Sequence, residues 1–97
     1  MQFVVQYLDR PDTGALRAEH RDAHIAYRKG LGNRLLLAGP LLSAAGAAIG
    51  SLVILQAESL ADAQQTATAD PYAAAGVFRE VNVYGYRIMA NRLAAAS

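Results

Sequence analysis

Four stretches of this chain carry apolar residues on both sides of a strand's alternation, so a sheet built from them needs cover on both faces. They are QFVVQYL (2–8), RLLLAGPLL (34–42), SLVILQAE (51–58) and REVNVYGYRIM (79–89). β-Branched and aromatic residues mark the first as a strand, stopped by Asp9, Arg10 and Pro11. Within it Phe3, Val5 and Tyr7 point one way while Val4 and Leu8 point the other. Leu52 and Ile54 oppose Val53 and Leu55 in the third stretch, and Val81 and Val83 oppose Tyr84, Tyr86 and Ile88 in the fourth. A sheet with one wet face alternates apolar and polar residues. These strands do not.

Between the strands lie two helical segments. From about 13 to 30, Leu16, His20, Ala23, His24, Tyr27 and Leu31 fall within an arc of about 100°, the width of a core-facing stripe. Glu19, Arg21, Asp22 and Lys29 form the solvated side, and "KGLGN" closes the helix with glycines. The second helix, 60–69, opens on "SLAD", a capping-box pattern, and is rich in alanine, which permits close approach to a sheet. Its end is forced, because Pro71 pushes residue 70 out of the helical region. A one-turn "PYAAAG" follows. Pro40 breaks the second strand and belongs at a sheet edge or strand end.

The order β-α-β-β-α-β, with two right-handed crossovers, gives a four-stranded antiparallel sheet with both helices on one side. That is the ferredoxin-like α+β plait. One domain is expected over 1–97, with 91–97 a frayed tail. Two helices cover only one face of the sheet, and the other exceeds the apolar patch a monomer tolerates. A symmetric homodimer with its sheets face to face, an α+β barrel, is therefore expected. The alternative is that the tail folds across the open face, for which seven residues are few.

Composition narrows the function. With no cysteine, disulfides and thiolate metal sites are excluded, which fits a reducing compartment. The net charge of +1 comes from mixed signs without a basic block, which argues against nucleic acid or an anionic membrane as partner. No run approaches the ~20 apolar residues of a membrane span, and no signal peptide is recognisable at the start. A cytoplasmic domain is the expectation. RNA binding shares the strand order, but "SLVILQAE" has neither the aromatics nor the basic surroundings it needs.

Few residues suggest chemistry. Asp70 stands beside an apolar run, "ADPYAAAGVF" (69–78), where it can serve as the N-cap of the short turn that Pro71 starts. His24 sits at the rim of the first helix's apolar arc with Arg28 one turn on, and could be a packed residue or an acid–base group. His20 and His24 have the spacing of a metal pair, but no third ligand accompanies them, so neither metal nor cofactor is expected. Tyr7, Tyr27, Tyr72, Tyr84 and Tyr86 suit core or interface positions. Gly39 and Pro40 could shape a pocket wall or merely punctuate a strand, and Gly46 and Gly50 form no phosphate-binding pattern.

Taken together, "HIAY" (24–27), "LLLAGPL" (35–41), "GSLVI" (50–54), the "SLADAQ" helix start and "DPYAAAGVF" (70–78) resemble the YciI-like, or YCII-related, family, in family order and over nearly the whole chain. The resemblance implies the dimeric α+β barrel that the strand pattern also suggests. It further implies that His24 and Asp70 match the family's candidate active-site dyad. Where the family has an assigned chemistry, it is loss of chloride from a chlorinated, hydroxylated ring. His20 is not carried over.

Such a pair suits proton transfer. A neutral imidazole gives or takes a proton near neutral pH, and a carboxylate on its other nitrogen fixes the tautomer. The expectation is a small lyase or isomerase acting on an aromatic or enolisable molecule. His24 would be acid or base and Asp70 its orienting partner, with Arg28 opposing the imidazolium and Gly39, Pro40 and Tyr72 lining the pocket. The alternative is a non-catalytic ligand-binding or interaction module of the same fold.

Overall fold

Each apolar stretch forms a strand. Strand β1 (Gln2–Asp9) leads to helix α1 (Gly14–Gly30), a 3₁₀ turn at Gly32–Arg34, and the hairpin of β2 (Leu35–Leu42) and β3 (Ala48–Gln56). Helix α2 (Leu60–Thr68), the one-turn α3 (Pro71–Ala74) and β4 (Phe78–Tyr86) follow. A computed structural model describes residues 1–93, so the part of the expected frayed tail at 94–97 lies outside the described residues. The sheet order is β2-β3-β1-β4, every pair antiparallel. This is the ferredoxin-like plait the sequence predicts.

The core lies between sheet and helices. Val5, Tyr7, Val53 and Leu55 pack against Ala67, Tyr72, Val77 and Phe78, while Phe3 packs with Ala57 and Ala63. Two alanines on α2, Ala63 and Ala67, are almost fully buried, as expected of a helix that approaches the sheet closely. Ser59 accepts a hydrogen bond from the Asp62 backbone N–H at 3.0 Å and starts α2 as its capping residues predict. At the other end of α2, the Tyr27 hydroxyl donates to the Thr66 carbonyl and the Tyr7 hydroxyl to the Ala67 carbonyl. These satisfy two of the carbonyls that a helix C-terminus leaves without partners.

Several boundaries differ from expectation. Strand β2 is continuous through Gly39–Pro40 because it is an edge strand, where a missing ladder donor costs little. The hairpin turn is shorter than "SAAGAAIGS". Ser43 N–H bonds the Ala47 carbonyl, and Gly46 takes a left-handed φ of 86°, so β3 starts at Ala48 rather than 51. Strand β4 ends at Tyr86 rather than 89, since Tyr86 pairs with Gln2, where β1 begins. Helix α1 is not core-facing in the manner expected. None of its residues is fully buried and Ala23 is exposed; it packs on α3 and stands over one end of the sheet.

One irregularity decides what faces the helices. Leu35 pairs with Leu55 but Leu37 pairs with Ile54, leaving Leu36 as an extra residue in the edge strand. Such a bulge reverses the side-chain alternation beyond it. Ala38 and Pro40, opposite Val53 and Ser51, therefore lie on the helix side. Small residues thus form the sheet surface under α1, where leucines would have filled the space.

Candidate active site

Helix α1 carries Arg17, His24 and Arg28 at spacings of seven and four, which places them on one helix face above that surface. With Ala38, Pro40 and Ser51 below and the rings of Tyr72 and Phe78 to the side, they enclose a cavity of about 290 Å³. The backbone of Gly39 and Gly50 completes the wall. Gly50 is required by its setting, because a Cβ there would collide with the Tyr7 carbonyl oxygen on the neighbouring strand. No such constraint acts on Gly39.

Asp70 lies directly behind this wall and is 0 % exposed. Its Oδ1 accepts hydrogen bonds from His24 Nδ1 at 2.8 Å and from the Tyr72 backbone N–H at 2.9 Å. Its Oδ2 accepts from Arg28 Nε at 3.2 Å. The two sequence readings of Asp70 both hold geometrically: it N-caps α3, with Pro71 in the first turn, and it meets His24. A fully buried carboxylate is tolerable only when paired and hydrogen-bonded, and Arg28 supplies the counter-charge. Among the described residues no buried side-chain polar atom lacks a partner.

The His24 ring is stacked on Tyr72, with centroids 3.9 Å apart and planes 11° from parallel. Since a carboxylate accepts only, Nδ1 carries the proton and the neutral ring keeps its lone pair on Nε2. The imidazole is fixed in position and tautomer, at a cavity wall, and only partly exposed. That is the arrangement of an acid–base group with an orienting partner. Around it, burial pushes the Tyr7 phenol far above its usual range, and the nearby Asp70 charge adds to the effect. Tyr27 is raised for the same two reasons, in that order.

All six candidate residues come together: His24, Arg28, Gly39, Pro40 and Tyr72 line the cavity, and Asp70 holds three of them from behind. Arg28 touches the carboxylate directly, so it acts on the pair through Asp70 as well as through its own charge. His20 is half-buried on the same helix and does not line the cavity. Arg17 was not singled out from sequence. Its guanidinium lies 4.9 Å from the Tyr72 ring centroid and 5.8 Å from that of Phe78, and it pairs with Asp9 at 2.7 Å. The signal was present, for Arg17 is seven residues before His24 and shares its face. A more open hollow of about 500 Å³ beside Phe3 and Tyr86 has, among the described residues, no histidine or carboxylate in its wall.

The model of the YCII-related domain matches residues 1–87. The chain belongs to the YCII-related family. Protein YciI of Escherichia coli O6:H1 is 41% identical over 95 residues, an alignment covering 90% of this chain and 97% of the relative. An uncharacterised protein of Haemophilus influenzae is 40% identical over 96 residues with the same coverage of both chains. Among solved structures, 5-chloro-2-hydroxyhydroquinone dehydrochlorinase (TftG) from Burkholderia phenoliruptrix AC1100, in complex with 2,5-dihydroxybenzoquinone, superposes with a TM-score of 0.81. It is 29% identical, over 90% of this chain and 94% of its own. This YCII-related chain thus shares its fold with an enzyme, and among its described residues no helix is long and apolar enough to cross a membrane.

Proposed function

We propose that this YCII-related protein is a small acid–base enzyme acting on a single-ring, enolisable or aromatic molecule. His24 Nε2 exchanges the proton, Asp70 orients the ring and balances the imidazolium, and Tyr72, Pro40 and Gly39 shape the binding wall. The observation that carries the reading is the 2.8 Å hydrogen bond from His24 Nδ1 to a fully buried Asp70, made at the edge of a cavity. The volume, about 290 Å³, is at the small end of ligand pockets and suits one ring. The likeness to the dehydrochlorinase supports an elimination in which a base takes one proton from the substrate and chloride leaves with the carbon–chlorine bonding pair.

The sheet's second face supports a homodimer. Val4, Leu37, Leu52, Ile54, Tyr84 and Tyr86 share it, and Tyr84 is 59 % exposed. Ile88 and residues 90–93 reach this face beside Leu37, Leu52, Ile54 and Tyr86, and leave Tyr84 exposed for a second sheet to cover.

The test is turnover of chlorinated and hydroxylated single-ring compounds, read as chloride release and as exchange of ring protons with solvent. His24→Ala should lower the rate by about 10²–10⁴-fold. An unchanged rate would reject His24 as the acid–base group. A second reading, a non-catalytic binding module, draws on Asp70's role as the α3 cap. It predicts ligand binding without turnover across the whole panel, and large stability losses in both dyad variants.

A further inference from the structure

The wall of the cavity has an uneven charge. Among the described residues three ionisable side chains line it beside Tyr72, namely Arg17, His24 and Arg28, and no carboxylate does so. Both nearby acids lie outside the lining. Asp70 is sealed behind the wall, and Asp9 holds Arg17 from the β1 side. Each guanidinium gives one nitrogen to its aspartate: Arg17 a terminal NH2 group, Arg28 its Nε. A guanidinium carries five N–H donors, so both have donors left over.

Their placement also limits how they can move. Arg17 is held by Asp9 at 2.7 Å and lies over the Tyr72 and Phe78 rings. Arg28 is held by Asp70 at 3.2 Å and lies 5.7 Å from the centroid of the Tyr7 ring. Cations tethered by an acid and packed on aromatic faces lose little further freedom on binding a ligand. They are preorganised donors with apolar surface beside them.

From this we infer that the cavity selects its ligand as an anion: a single planar ring bearing an ionised oxygen, a phenolate or enolate, received by Arg17 and Arg28. Arg17 is the specificity residue and lies away from the dyad. The inference rests on the proposed ring-binding role of the cavity but not on turnover. Binding the ionised form also suits proton transfer, because the anionic oxygen's electron pair drives protonation at a ring carbon, and the carbonyl so formed takes a pair back when that proton leaves. His24 gives that proton from Nε2 as the oxygen becomes a carbonyl, and takes it back in the reverse direction as the arginines stabilise the charge returning to oxygen.

The probe is 4-nitrophenol, whose phenolate absorbs in the visible, mixed with the full chain at a pH where the free probe is mostly neutral. Binding to the wild-type protein should raise the phenolate-to-phenol ratio about tenfold, the scale of charge-assisted hydrogen bonding. Arg17→Gln should reduce that gain to about threefold or less, and His24→Gln should retain it. A wild-type ratio unchanged on binding, no binding at all, or a gain that survives Arg17→Gln overturns the inference. So does a gain lost in His24→Gln, which would make histidine the seat of the anion. Should Arg17→Gln fail to fold, the wild-type protein still decides: neutral 4-nitroanisole must bind about tenfold more weakly than the phenolate. Equal affinity overturns the inference. Failure of His24 variants to affect turnover would reject the acid–base proposal and leave the ionisation gain standing.

Discussion

His24 and Tyr72 are tied to one carboxylate oxygen and stacked on each other. Asp70 Oδ1 accepts from the imidazole Nδ1 and from the Tyr72 backbone N–H, while the two rings lie 3.9 Å apart. The α3 cap and the histidine's orientation are therefore one feature. Asp70→Asn should disturb both, because an amide cannot accept from all three donors as a carboxylate does. In nitrogen-15 NMR spectra of the histidine ring, the wild-type protein should show the Nδ1–H tautomer of neutral His24. The asparagine variant should show a mixture. Identical spectra would mean that the two groups are not in contact in solution.

The same carboxylate predicts a stability difference. Asp70→Ala leaves Arg28 without its partner and Tyr72 N–H without an acceptor, and should cost about 3–5 kcal/mol by urea unfolding. Arg28→Met alone should also destabilise, by stranding the buried acid. The double variant should cost less than the sum of the singles, because neither charge is then left alone. Strict additivity would show that the 3.2 Å contact contributes nothing.

Much of this was legible in the sequence, and the exceptions have physical causes. The doubly apolar strands and the Ser59 and Asp70 caps are local signals, and they gave the plait and the acid. The helix spacing of His24 and Arg28 was equally local. What sequence reading missed depends on register. The extra residue at Leu36 turns Ala38 and Pro40 toward α1, and nothing in "RLLLAGPLL" marks which leucine is unpaired. Arg17 was overlooked because its importance comes from Asp9, Tyr72 and Phe78, three residues distant from it in different ways along the chain. The shallow seat of α1 was missed for a related reason. An apolar arc gives a direction of burial but not a depth, and here Tyr27 and the two Asp70 contacts hold the helix by polar groups.

Glycine at 50 and at 39 should respond in opposite ways. A methyl group at 50 meets the Tyr7 backbone, which cannot move without breaking the β1–β3 ladder, whereas at 39 it meets nothing within 4 Å. Gly50→Ala should therefore lose about 1–3 kcal/mol or more to overpacking, and Gly39→Ala should unfold at nearly the wild-type urea concentration. Equal midpoints for the two variants would contradict the register between β1 and β3.

Alkaline pH should weaken the fold through Tyr7 and Tyr27. Both phenols are raised above their ordinary value of about 10 in the folded chain, mainly by burial and then by Asp70. The unfolded chain releases these protons first. Their contribution is thus complete below the ordinary tyrosine value and lost as pH rises through the higher folded values. Ionisation also removes the hydroxyl donors that hold Thr66 and Ala67, the carbonyls at the end of α2. Melting temperature should be level approaching pH ~10 and fall above it, less steeply in Tyr7→Phe than in the wild type. Equal slopes would mean that the buried phenol is not what titrates.

The sheet face away from the helices, where Tyr84 stays exposed, makes the last prediction. Tyr84 lies beside Val4 and near Ile54 on the side away from the helices, and more than half of it is exposed in the single chain. Each Å² of apolar surface covered there contributes about 25 cal/mol before the cost of association, so a second sheet is a favourable cover. Sedimentation equilibrium at micromolar concentration should give twice the chain mass for the wild-type protein. Tyr84→Arg should shift it to the monomer mass, because a symmetric interface meets the new charge from both sides. The dyad is on the opposite side of the sheet, so the monomeric variant should keep the His24 tautomer while losing the pairing. A wild-type protein that sediments at the monomer mass would reject the sheet-to-sheet dimer.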